Sequence, residues 1–331
     1  MLARQPVNRH CEPSDFCIED GEIPYPDEGQ VLVRTGFLSL DPYMRTRMSP
    51  IGTYVAHVEV GEVMVGEVIG EVIQSRHKEF SVGDVVLARS GWQQFAALPI
   101  EDISRVDTTV APPSCYLGIL GIPGMTAYYG LLEVARPVKG DTVLVPAAAG
   151  AVGHIVGQIA KRCGCRVIGS TSSQVKADFV TAELGFDACI DYRGKNVDDL
   201  SAEIAELCPQ GIDIYYDSVG GDLHDAAMLN IAINARIVIV GAIARSSRME
   251  QPDIGRRWTR ELLNKRARME GFLVLDYADR VNEFHQTMSA WMSDGTMSYR
   301  EHIVDGIESA PKAFIDMLAG GNIGKQLVRV G

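Results

Sequence analysis

From Thr142 to Val274 the chain alternates short aliphatic and β-branched runs with longer stretches whose apolar positions recur every three or four residues. The first texture predicts buried strands and the second predicts helices. Strands are expected at 142–146, 166–170, 188–191, 212–217, 236–241 and 270–274, with helices at 152–163, 175–184, 197–207, 223–232 and 257–265. Regular alternation of this kind indicates an α/β fold with a doubly wound parallel sheet. The first 115 residues read differently. "GQVLVRTGFLSL", "EVGEVMVGEVIGEVIQS" and "VGDVVLARSGWQQFAAL" are β-branched runs broken by Gly, Asp and Pro, the signature of a β-rich domain. Gly-Glu-Val occurs three times between Gly61 and Val72, a period too short for a solenoid, and predicts strands around a glycine-rich bend. The final stretch, His302–Val330, ends in a strand pattern expected to rejoin the first domain.

At 331 residues the chain is long enough for two cores. A net charge of -12 argues against nucleic acid and against an anionic membrane surface as partners. The N-terminus lacks the apolar core of a signal peptide, and no apolar run reaches the ~18 residues of a membrane span. Seven scattered cysteines form no disulfide framework, and Cys163 and Cys165 read as small core fillers. These features together indicate a cytoplasmic, enzyme-sized protein.

The chemistry concentrates in "VLVPAAAGAVGHIVGQIAK". A buried strand feeds a turn of small residues that opens a helix, whose N-terminal amides suit a pyrophosphate. The dinucleotide pattern G-x-G-x-x-G falls on Ala148, Gly150 and Gly153, with alanine at the first position. The acid that usually ends the second strand and binds ribose hydroxyls is missing: Gly169-Ser170-Thr171-Ser172-Ser173 stands there, followed by Lys176. Hydroxyls and a cation accept a 2′-phosphate, which favours NADP(H), although Lys176 also reads as a solvated helix lysine. His154, one residue past the fingerprint, reads as a helix-face residue.

Several long motifs occur in one order: "LSLDPYMRTRMS", "TYVAHVEVGEVMVGEVIGEV", "GIPGMTAYYGLLE", "AAAGAVGHIVGQIAK", "LGFDACIDYR", "YYDSVGGD", "MEGFLVLDYADR" and "GGNIGKQLVRV". With them the chain resembles the medium-chain dehydrogenase/reductase superfamily, in its zinc-independent branch of prostaglandin reductases, alkenal double-bond reductases and curcumin-reductase-like enzymes. The resemblance implies a GroES-like substrate domain at 1–115, completed by about 305–331, and a Rossmann NADP-binding domain at 116–304, with an active cleft between them. It implies reduction by NADPH of a carbon–carbon double bond conjugated to a carbonyl, a small enone or enal substrate, and by analogy a homodimer. Zinc members carry Gly-His-Glu and a four-cysteine lobe; here "VGEVIGEV" has no histidine and no cysteine cluster follows Trp92, so no metal is expected.

Residue by residue, Ala148, Gly150, Val152 and Gly153 match the pyrophosphate turn. Ser172, Lys176 and Tyr192 match the adenosine-phosphate side, and Asn322 matches an asparagine that reaches the cofactor. Thr126 and Tyr128 match the nicotinamide end. Tyr43, Met44 and Tyr54 match the substrate pocket, although Tyr43 and Tyr54 read equally as core aromatics. One position departs from the family. The family reads Gly-Ala-Ile-Ser-x-Tyr-Asn after the fifth strand, its tyrosine a proposed donor to the substrate carbonyl, whereas this chain reads Gly-Ala-Ile-Ala-Arg-Ser-Ser with Ser246 in the tyrosine's place. The resemblance leaves Tyr43, Tyr54 and Ser246 as candidate catalytic hydroxyls. A zinc-free quinone reductase and a non-catalytic NADPH-binding protein are the rival readings.

Overall fold

The computed structural model describes residues 1–51 and 55–331. The chain divides into two compact units, and neither is one continuous segment: the first is Met1–Gly121, Ser246–Gln251 and Glu301–Gly331, the second Ile122–Arg245 and Pro252–Arg300.

In the first unit, strands β1 (Gln30–Ser39), β2 (Val68–Ser75), β3 (Val85–Ala88), β4 (Phe95–Pro99) and β5 (Ile103–Arg105) are antiparallel to their neighbours. Alternating side chains enter one core: Val31, Val33 and Leu38 from β1, Val68 and Val72 from β2, Val86 and Ala88 from β3. Trp92 stacks on Phe16 with centroids 5.5 Å apart, and Phe314 meets Trp92 edge-on at 5.6 Å. Of the Gly-Glu-Val stretch only the part from Val68 onward is a strand, which corrects the expectation of strands throughout. The preceding residues are tied irregularly, with the Trp92 amide donating to Met64 O (2.8 Å) and the Gly91 amide to Gly66 O (3.0 Å).

The second unit carries six parallel strands: β6 (Thr142–Val145), β7 (Arg166–Thr171), β8 (Ala188–Asp191), β9 (Ile212–Asp217), β10 (Ile231–Ile239) and β11 (Arg268–Gly271). Their spatial order is β11-β10-β9-β6-β7-β8, so the order reverses at β6. Every residue of β6 is buried, as a central strand covered on both faces requires. Helix Val197–Leu207 begins and ends where the periodicity predicts; Asn196 caps it, its side chain accepting from the Asp198 and Asp199 amides. The helix expected at 223–232 instead ends at Met228, and β10 begins at Ile231. Ile231 and Ile237 are β-branched and core-facing, and Asn234 takes φ +63° where the pairing with β9 shifts register.

Strands β12 (Glu301–Asp305) and β13 (Lys325–Arg329) return to the first unit, where β13 pairs antiparallel with β1 and parallel with β12. No helix among the described residues is long and apolar enough to cross a membrane.

Candidate functional site

The turn after β6 is built from close backbone contacts. Helix Gly153–Arg162 starts so near the strand that a Cβ on Gly153 would stand 2.5 Å from Ala147 O and 2.9 Å from Ala148 Cα. A Cβ on Gly150 would meet only Ala147, its O at 3.1 Å, which leaves the other side of the backbone open to a ligand. The left-handed conformation in this turn belongs to Ala147 (φ +46°) and not to Ala148. Ala148 is wholly buried, and its methyl occupies the space opposite Gly169 on β7, where any Cβ would come within 2.8 Å of it. The missing first glycine is thus matched by a glycine on the next strand. Val152 is the residue before the helix, with helical φ and ψ. His154 is buried, its Nδ1 sits 2.7 Å from Gly150 O, and burial lowers its pKa to about 4, so the ring is neutral and helps shape the turn. Glycine where a side chain would collide, placed in the turn that opens a helix, fits a pyrophosphate.

The ends of β7 and β8 carry the second half. Thr171 and Asp191 are direct partners across the two strands, and the Tyr192 amide donates to Thr171 O at 3.1 Å. Beyond Thr171 come half-buried Ser172 and then Ser173, whose Oγ caps helix Gln174–Asp178 by accepting from the Lys176 amide. Lys176 is half-buried and desolvation lowers its pKa, while the Tyr192 side chain is exposed. The fold therefore brings Ser172, Lys176 and Tyr192 to one edge of the sheet. It also brings Asp191 and Arg193 there; the usual ribose-binding acid ends the second strand and this one ends the third, so the sequence pattern does not mark it.

Thr126 lies on helix Ile122–Tyr129, half-buried, its Oγ1 donating to Ile122 O within the same helix (2.7 Å). The Tyr128 ring is buried, with centroids 5.0 Å from Tyr129, 5.7 Å from Phe284 and 5.8 Å from Trp291. That environment holds the ring in an aromatic cluster.

The remaining candidates belong to the first unit. Tyr43 opens the short helix Tyr43–Arg47 and leans half-buried on the first core, while Met44 is fully inside it. Tyr54 lies outside the described residues. Ser246 borders a cavity of about 90 Å³ with His10, Cys11, Arg45, Ile315 and Leu318. Arg45, which the sequence reading did not single out, is buried; its Nη2 donates to Pro6 O (2.6 Å) and Arg9 O (3.2 Å), tying the N-terminal segment to the helix. Asn322 sits in the turn before β13, its Nδ2 donating to Gly324 O at 2.8 Å. All seven cysteines are free, and Cys165 is buried as a core residue while Cys163 is partly exposed. Among the described residues no group of three or more His, Cys, Asp and Glu could hold a metal ion.

Sequence comparison matches residues 1–106 to the family described as N-terminal domain of oxidoreductase and residues 151–294 to the family described as zinc-binding dehydrogenase. The chain is 42% identical over 322 residues to the NADPH-dependent curcumin reductase of Escherichia coli, covering 96% of this chain and 92% of that one. It is 40% identical over 302 residues to the NADP(+)-dependent 2-alkenal reductase of Nicotiana tabacum, covering 91% and 87%. The crystal structure of CurA from Vibrio vulnificus in complex with NADPH superposes with a TM-score of 0.92 at 42% identity, over 100% of this chain and 98% of that one.

Proposed function

The chain belongs to the zinc-independent reductase branch of the medium-chain dehydrogenase/reductase superfamily, and from that premise we propose that it reduces carbon–carbon double bonds conjugated to a carbonyl, using NADPH. The observation that carries the cofactor half is the pairing of a tight turn at Gly150 and Gly153 with Ser172, Lys176 and Tyr192 at the neighbouring strand ends. In this reading the amides after Ala148 hold the pyrophosphate, and Val152 carries the chain into the helix. Ser172, Lys176 and Tyr192 hold the 2′-phosphate, Thr126 and Tyr128 border the nicotinamide end, and Asn322 reaches the cofactor. NADPH supplies the hydride when bound.

The work left to the protein is to stabilise negative charge at the substrate's carbonyl oxygen, for which the hydroxyls of Tyr43, Tyr54 and Ser246 are the candidate donors. Loss of one such donor costs on the order of 100-fold in rate. Small enals and enones are the substrate class supported by the relatives' activities. The first unit serves as the substrate domain and the second as the cofactor domain; family analogy supports a cytoplasmic homodimer.

The test is an NADPH-oxidation screen against alkenals, linear enones, diarylheptanoids and quinones, with NADH in parallel. Turnover of enals or enones with NADPH is expected. Preference for quinones, or tight NADPH binding with no turnover of any acceptor, overturns the reaction assignment; equal rates with NADH overturn the cofactor.

A further inference from the structure

The end of β8 carries a carboxylate where a 2′-phosphate is least welcome. Asp191 is the last residue of β8 and the direct partner of Thr171, the last residue of β7, from which the chain runs into Ser172 and Lys176. The acid that suits free ribose hydroxyls ends the second strand; a carboxylate at the neighbouring end of the third still repels a phosphate bound beside it. Here it is held at three points by one neighbour. The Arg193 amide (3.1 Å) and Nε (3.2 Å) donate to Oδ1, and Nη2 donates to Oδ2 at 3.0 Å. Gly194 at φ +70° then turns the chain away. The next cation, Lys195, is engaged by Glu203.

We propose that this Asp191–Arg193 clamp is a determinant of cofactor preference: Arg193 masks the carboxylate, so that the adjoining Ser172–Lys176 edge accepts a phosphorylated ribose. The inference rests on the NADPH reading above and adds two residues to it. Arg193 is 59% exposed and Asp191 33% exposed, so the pair lies within reach of a ligand. Ion pairs this exposed contribute little to stability, so the variants are expected to fold. The same bonds, from the Arg193 side chain first and then its amide, hold the Asp191 pKa below the usual carboxylate range, so the acid is charged at neutral pH.

The experiment is fluorescence titration of NADPH and NADH at fixed ionic strength against the full-length wild type, Arg193→Gln, and the double variant Asp191→Asn/Arg193→Gln. Exposing the carboxylate in Arg193→Gln is expected to raise the NADPH Kd about tenfold while the NADH Kd stays within about twofold. Removing the charge in the double variant returns the NADPH Kd to within about threefold of wild type. An unchanged NADPH Kd in Arg193→Gln overturns the proposal. So does a double variant as weak as Arg193→Gln, because Arg193 would then act on the phosphate and not on Asp191. If wild type binds NADH as tightly as NADPH, the NADPH reading itself fails, and that result comes from a separate arm.

Discussion

Replacing Gly153 by alanine separates close backbone contact from ligand approach. The added methyl would lie 2.5 Å from Ala147 O, 2.9 Å from Ala148 Cα and 3.0 Å from Ala147 C, all backbone atoms that no rotamer change can move. Helix Gly153–Arg162 must therefore shift off β6, against a face where Ile155, Val156 and Ile159 are fully buried. Overpacking of this kind costs about 1–3 kcal/mol, and in a domain of this size each kcal/mol lowers Tm by roughly 2–4 °C. Calorimetry without cofactor should show Tm lowered by about 3–10 °C. Gly150→Ala is the control: its methyl meets only Ala147, at 3.1 Å, and its φ is not left-handed. That variant is expected to melt within about 2 °C of wild type yet lose cofactor affinity. A Gly153→Ala protein that melts with wild type refutes the close-contact account of the turn.

Two further tests address one buried and one half-buried carboxylate. Asp217, buried at the end of β9, accepts from the Val219 amide (2.9 Å) and the Gly220 amide (2.8 Å) and meets His224 Nδ1 at 2.8 Å. Asp217→Ala strands these donors and is expected to cost about 2–3 kcal/mol in denaturant unfolding, with Asp217→Asn costing clearly less. Glu67 has its pKa raised to about 7 by burial and by Asp41, against the opposing pull of Arg89 and Lys325. Folded protein then holds a proton that unfolded protein releases above its lower pKa, so stability falls as pH rises from about 4.3 to 7, by on the order of 3–4 kcal/mol. Glu67→Gln should flatten that slope, and a slope unchanged by the substitution would show that the carboxyl is not the source.

Much of the second unit was legible because its signals are local. β6 reads as an apolar run, Asn196 as a cap, and helix Val197–Leu207 as a period of 3.6, and each is decided within a few residues. The misreading at 223–232 has the opposite origin. Ile231 and Ala232 continue a helical pattern, but pairing with β9 recruits them into β10, and no local signal announces that partner. Asp191 was missed for the same reason: its closeness to Thr171 exists only once β7 and β8 lie in register. Alanine at the first fingerprint position is matched by Gly169 opposite it, a compensation about twenty residues away in sequence that no local pattern shows. Ser246 was placed by alignment with the family's tyrosine, whereas its cavity partners His10 and Arg45 come from the far end of the chain.

The route of the chain through the two units has a consequence for synthesis. β1 cannot gain its partner β13 until some 290 residues later, by which point every residue of the second unit has left the ribosome. Domains normally mature in the order they are made. Here the unit that starts first must finish last: β4 covers Gln30–Arg34 early, but through most of translation the Phe37–Ser39 end of β1 lacks its β13 partner, open to the wrong neighbour. The second unit, complete by Arg300, is the part of the nascent chain able to fold while the other waits.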